Sequence, residues 1–260
     1  YKEREREIGK RERERERERR MSRIFNDNPY MMLLSSKGMI DQGWYDDAVA
    51  QCKAVLTLPA ANEMEKRSAT NLIAGAYFHK KDLLQAIEWF RKCEAMETEP
   101  GSIASIKSSI GNCFYEMGDK SRAKKLFEAA DAIRRKHHCE SSTESQILYA
   151  LAQIARDEGD FEAAEKKCRE VVKIRENDNN ANVESALDLL GTILNDRGKH
   201  VEAVETFERA LKMSRETRKA HVEKRVLCHM VNALWNVGRE DEVIQRLREH
   251  VKLCRELFGP

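Results

Sequence analysis

Six positions about forty residues apart carry Asp41, His79, Glu116, Asp157, Asp196 and Asn236. Four of the six are carboxylates and none is Lys or Arg. A surface that gathered them would attract basic side chains and repel phosphates. A second row of the same spacing includes Asn112, Gln153 and Asn232, whose amides offer a donor and an acceptor to a peptide backbone. A third row includes Phe78, Tyr115, Arg156, Asn195 and Trp235, and its aromatic members are candidate apolar anchors. This is the chemistry of recognition rather than of bond breaking.

The residues that could break bonds are present but not arranged to do so. Seven cysteines (52, 93, 113, 139, 168, 228 and 254) are scattered without a C-x-x-C pair, mostly at apolar positions of helical patterns. They read as reduced structural thiols acting as small hydrophobes, as in a cytoplasmic protein. His137-His138-Cys139 has no second ligand cluster to complete a four-ligand zinc site. There is no Gly-rich phosphate loop, no H-E-x-x-H and no nucleophile elbow. The expectation is a protein that is not an enzyme and takes no metal or cofactor.

Composition points to helices. Hydrophobic residues make up 41% and charged residues 35%, with only 12 Gly and 4 Pro to punctuate 260 residues. No apolar run reaches the roughly 20 residues that span a bilayer. Residues 1–20 stand apart, with 10 basic and 7 acidic residues in Arg/Glu alternation and almost nothing to bury. They read as a disordered segment or as a translated leader, because such alternation is what a GA-dinucleotide repeat encodes and Met21 follows at once. The remaining chain is close to neutral, which disfavours an RNA-associated helical repeat protein, the alternative of another class.

The chain carries an internal repeat. Ala48, Ala86, Ala123, Ala164, Ala203 and Val243 align at spacings of 38, 37, 41, 39 and 40 residues. Five before each anchor stands Gly43, Lys81, Gly118, Gly159, Gly198 or Gly238, suited to a left-handed turn between two helices. Twelve before it stands a small residue (Ser36, Ala74, Gly111, Ala152, Gly191) in all units but the last, which has Val231. Four after it stands Cys52, Phe90, Phe127, Cys168, Phe207 or Leu247. The small residues let paired helices approach, and the residue at plus four is expected to fill the gap to the next pair. Each unit is then a helix hairpin whose apolar face only a neighbouring unit can cover. Trp44, Trp89, Met31 and Met32 read as packing residues.

Gly118–Ala123 with Leu126, Phe127 and Ala130, Gly159–Ala164, and Gly198–Ala203 with Phe207, Ala210 and Leu211 resemble tetratricopeptide repeats (TPRs). The resemblance covers about residues 30–258, strongest in units three to five and weakest in unit six. The period exceeds the family's common 34 and resembles that of kinesin light chains and Pins-type adaptors. It implies an all-α fold, a right-handed α-solenoid of about six antiparallel helix pairs. The domain would span 21–260, with units near 30–60, 66–97, 103–137, 144–176, 183–216 and 221–258. It also implies a protein–protein scaffold or adaptor whose first helices line a concave groove. The three rows above fall on that groove, which would hold a basic or amphipathic peptide or a helix of a protein partner. A motor- or spindle-associated adaptor is the narrower alternative. A chaperone-type carboxylate clamp is disfavoured, since Lys107 and Ser108 do not complete the set begun by Lys37 and Asn71.

Overall fold

The computed structural model describes residues 28–137, 141–178 and 182–259. The charged segment 1–20 and the pair His138-Cys139 lie outside them. Twelve α-helices and no strand form among the described residues. They are α1 (Pro29–Asp41), α2 (Tyr45–Thr57), α3 (Glu63–His79), α4 (Leu83–Met96), α5 (Pro100–Glu116) and α6 (Lys120–His137). There follow α7 (Ser141–Asp157), α8 (Phe161–Asn177), α9 (Val183–Asp196), α10 (His200–Glu216), α11 (Ala220–Val237) and α12 (Glu240–Phe258). The fold class is all-α, of helix pairs in the solenoid class. The chain divides into two compact units, one holding residues 1–99 and 112–119, the other 100–111 and 120–260.

In the first unit, local chemistry sets the helix starts. Asn28 caps α1, accepting from Met31 N at 3.2 Å, and Pro29 occupies the first helical position where no N–H is needed. Asn62 and Glu65 form a reciprocal capping box at α3, with both bonds at 2.9 Å. The core gathers Leu33, Val49, Cys52, Val55, Ala61, Ala69, Ile73 and Ala76. Trp89 packs half-buried against it, with Lys92 Nζ 4.2 Å from the ring centroid. Trp44 departs from the packing role expected of it. It stands at the start of α2, just after the left-handed Gly43, and is 57% exposed.

The second unit has the larger core, centred on α9. Leu187, Leu190 and Leu194 are buried there among Val171, Val204, Phe207, Val226, Met230 and Leu234. The anchors Ala123, Ala164, Ala203 and Val243 are buried in α6, α8, α10 and α12. Two of the minus-twelve positions are glycine for a steric reason. A Cβ on Gly111 would lie 2.8 Å from Cε1 of Phe127, and one on Gly191 would lie 2.7 Å from Cε1 of Phe207. The plus-four ring therefore fills the space over the small residue of its own pair, and does not serve only the gap to the next. Phe207 does both, since its ring centroid also lies 6.3 Å from that of His229 on α11.

The turn between paired helices is left-handed throughout. The five glycines at the minus-five position have φ between 80° and 84°, and Lys81 takes its place at 68°. The weakest unit by sequence still forms its pair, with Val243 buried and Val231 half-buried.

Candidate partner-binding surface

Each row named from the sequence sits on a first helix, near its C-terminal end. In the first unit, Phe78 and His79 end α3. The His79 ring stacks on Tyr45, with centroids 6.3 Å apart and an interplanar angle of 13°, and meets Phe78 edge-on at 5.7 Å. Lys81 lies over Phe78, with Nζ 5.6 Å from its centroid, and reaches Glu116 Oε2 at 2.9 Å. Asp41, Asn112 and Glu116 are exposed, and Tyr115 is half-buried.

In the second unit the rows of three successive first helices touch. Arg156 of α7 donates from Nε to Asp196 Oδ2 of α9 at 2.7 Å. Asn236 of α11 donates from Nδ2 to Asn195 Oδ1 of α9 at 3.1 Å. The same oxygen lies 2.8 Å from His200 Nδ1. Asn232, Trp235 and Asn236 share one face of α11 by their three- and four-residue spacing, and Trp235 is 65% exposed. Gln153 is half-buried on α7.

The acidic row is not a row of free charges. Glu116 pairs with Lys81, Asp157 with Lys120 at 2.9 Å, and Asp196 with Arg156. Such exposed pairs contribute at most about 1 kcal/mol each to stability, but they offset much of the field a ligand would meet. What remains on α11 is an apolar ring flanked by amides.

Sequence reasoning missed a second polar set behind this surface. Asp188, on the buried side of α9, accepts from Arg225 Nε at 2.6 Å and lies 2.8 Å from His229 Nδ1. Thr192 donates to the Asp188 carbonyl at 2.8 Å. The partners lie 37 and 41 residues from Asp188, one repeat away, so no short-range charge pattern announces them.

Burial keeps the core thiols inert. It raises the pKa of Cys168 and Cys113 to about 12, and together with Glu97 raises that of Cys93 to about 11. Among the described residues no group of three His, Cys, Asp or Glu is placed to hold a metal ion, and no helix is long and apolar enough to cross a membrane.

These antiparallel pairs, with a left-handed turn in each and small residues where the helices cross, define a helical-repeat protein. Residues 143–216 match the tetratricopeptide repeat family model, which supports the tetratricopeptide resemblance over that stretch. No curated protein sequence matches it. Among solved structures, it is similar to BtubC (BKLC) from P. vanneervenii at 14% identity and TM-score 0.67, with 90% of this chain and 93% of that one covered. It is similar to a kinesin light chain with nearly identical TPR-like repeats from Podosopora anserina at 17% identity and TM-score 0.59, covering 75% and 98%. The Rap conjugation gene regulator of plasmid pLS20, solved with the Phr* peptide, shows 16% identity and TM-score 0.72. That match covers 89% of this chain but only 64% of the regulator. At these identities the likeness shows the fold alone.

Proposed function

We propose that this chain is a protein-interaction scaffold that receives a peptide or helix of a partner on its first-helix surface, and that it catalyses nothing itself. The observation that carries this reading is the α11 face, where exposed Trp235 stands between Asn232 and Asn236. An exposed aromatic with amides on either side is equipped to bury one apolar side chain of a ligand and to bond its backbone. The peptide seated in the Rap regulator supports the same use of this fold. Because Lys81, Lys120 and Arg156 partly neutralise the acidic row, an amphipathic segment with a modest basic charge fits better than a strongly basic one. Among the described residues no helix is long and apolar enough to cross a membrane. A cytoplasmic location is part of the proposal and rests on the scattered, unpaired cysteines of the sequence.

A motor-associated adaptor role is a narrower version of the same reading, supported by the likeness to the kinesin light chain repeats. Affinity capture with the whole chain, compared with Trp235→Ala/Asn232→Ala, tests the scaffold. Partners retained by the native chain should be lost by the variant while the helical content stays unchanged. An identical set of captured proteins would remove the surface from consideration, and the identity of the partners would decide between motor and other roles.

A further inference from the structure

The second helices α8 and α10 are bridged twice, and the same two bridges are missing between α6 and α8. Arg169, five after the anchor of α8, pairs with Glu202, one before the anchor of α10. Glu176, twelve after the anchor, pairs with Arg209, six after the next one, at 2.7 Å. Arg215 and Glu249 repeat that second bridge between α10 and α12, also at 2.7 Å. Between α6 and α8 the same register sets Glu128 opposite Ala163, and Arg135 opposite Glu170. Neither bridge forms, because Ala163 carries no charge and Arg135 turns to Asp131 of its own helix at 2.7 Å. A groove of about 700 Å³ is left along α6 and α8, in the interior of the repeat array.

Its floor is apolar. Helix α7 supplies Leu151, Ile154 and Ala155, the last standing where α9 has the larger Leu194. Ala132 and Ala163 keep the walls low. The charges on the rim are sorted by position. Near the turn between α7 and α8, both oxygens of Glu158 hold Lys124, at 2.9 and 2.7 Å, while exposed Glu128 is in no ion pair among the described residues. Toward the other end, Lys136 and half-buried Lys167 are likewise in none. Eight residues of helix separate Glu128 from Lys136, about 12 Å, which is the span of about four extended residues.

We infer that this groove binds a short extended segment of a partner protein. A basic residue of the segment faces Glu128, and an acidic one about four residues along faces Lys167 and Lys136. An apolar side chain between them sits on Leu151 and Ile154; alternate residues of an extended chain point to one side, so all three can face the groove. The volume suits a few residues rather than a folded domain, and the separated charges order the ends of the segment. The site lies on second helices and is separate from the first-helix surface around Trp235.

The test titrates the whole chain with synthetic peptides of the patterns Arg-x-Leu-x-Glu and Glu-x-Leu-x-Arg, followed by fluorescence anisotropy. Weak, saturable binding of one pattern is expected. Glu128→Arg/Ala163→Glu builds the Arg–Glu bridge of the next junction across the groove and should cost roughly tenfold or more in affinity. That variant gains an ion pair, so its urea midpoint should be no lower than the native one and the loss is not one of folding. Lys167→Ala should weaken the same peptide about fivefold, as loss of one solvent-accessible ion pair does, and Trp235→Ala should leave it unchanged. Ala132→Leu, which fills the groove without a charge, replaces the bridged variant should that one misfold. No saturable binding of either pattern up to about 1 mM, binding indifferent to the closed groove, or binding lost on Trp235→Ala would each overturn the inference.

Discussion

Gly191 and Phe207 occupy one another's space: the ring of Phe207 lies where any side chain on Gly191 would begin, 2.7 Å from an ideal Cβ. The helices α9 and α10 can meet at this distance only because one of the two contributes no side chain. Gly191→Ala should destabilise the protein by about 1–3 kcal/mol through overpacking. Urea denaturation checks it, with Phe207→Leu in the same chain expected to recover part of the loss. Purely additive effects of the two substitutions would show that they do not share the space.

A second prediction concerns a backbone position without a glycine. Arg218, between α10 and α11, has φ 54°, in the left-handed region that costs an L-residue roughly 1 kcal/mol. Arg218→Gly should raise stability by about 0.5–1 kcal/mol, since relief of this cost outweighs the added freedom of the unfolded chain. A lowered urea midpoint would contradict it.

Acid sensitivity should have one identifiable source in the second unit. Burial raises the Glu165 pKa, but hydrogen bonds from Arg197, Lys199 and Arg169 outweigh it and bring the carboxyl down to about 2. Arg197 and Lys199 flank the Gly198 turn, so Glu165 clasps the α9–α10 junction onto α8. A pKa lowered on folding adds stability that is complete above about pH 5 and is lost as pH falls toward 2. Glu165→Gln should lower stability by about 1–2 kcal/mol at neutral pH. The difference between variant and native chain should vanish near pH 2. A difference independent of pH would show that the carboxylate charge is not responsible.

Much of this was legible in the sequence because it is written at fixed distances. The left-handed turns at Gly118, Gly159 and Gly198, and the buried anchors Ala123, Ala164 and Ala203, follow from residue size and backbone freedom alone. The seat of Phe207 was only half legible. Spacing places it on the face toward α9, but whether its ring covers Gly191 or the next pair depends on side-chain torsion. Arg218 was invisible, since an arginine in the link between helix pairs carries no mark of a left-handed backbone. The pairing of Asp157 with Lys120 and of Asp196 with Arg156 spans 37 and 40 residues and requires the stacking itself. A row read as acidic from identities alone is thus largely offset in three dimensions.

That pairing carries a prediction of its own. Reversing both members, Arg156→Asp with Asp196→Arg, should keep stability within about 0.5 kcal/mol of the native chain, whereas Asp196→Arg alone should cost about 1 kcal/mol through like-charge contact. Equal stability of the single and double variants in thermal melts would show that the pair is not coupled in solution.

In the proposed function a partner segment is read by the first-helix surface around Trp235. The most direct measurement selects peptides from a displayed random library on the whole chain, then compares their affinity for Trp235→Ala with that for Glu208→Ala, an exposed change on the second helix α10. Apolar-anchored peptides are expected, and they should lose roughly tenfold or more in affinity on Trp235→Ala and nothing on Glu208→Ala. Peptides that bind both variants as well as the native chain would contradict it.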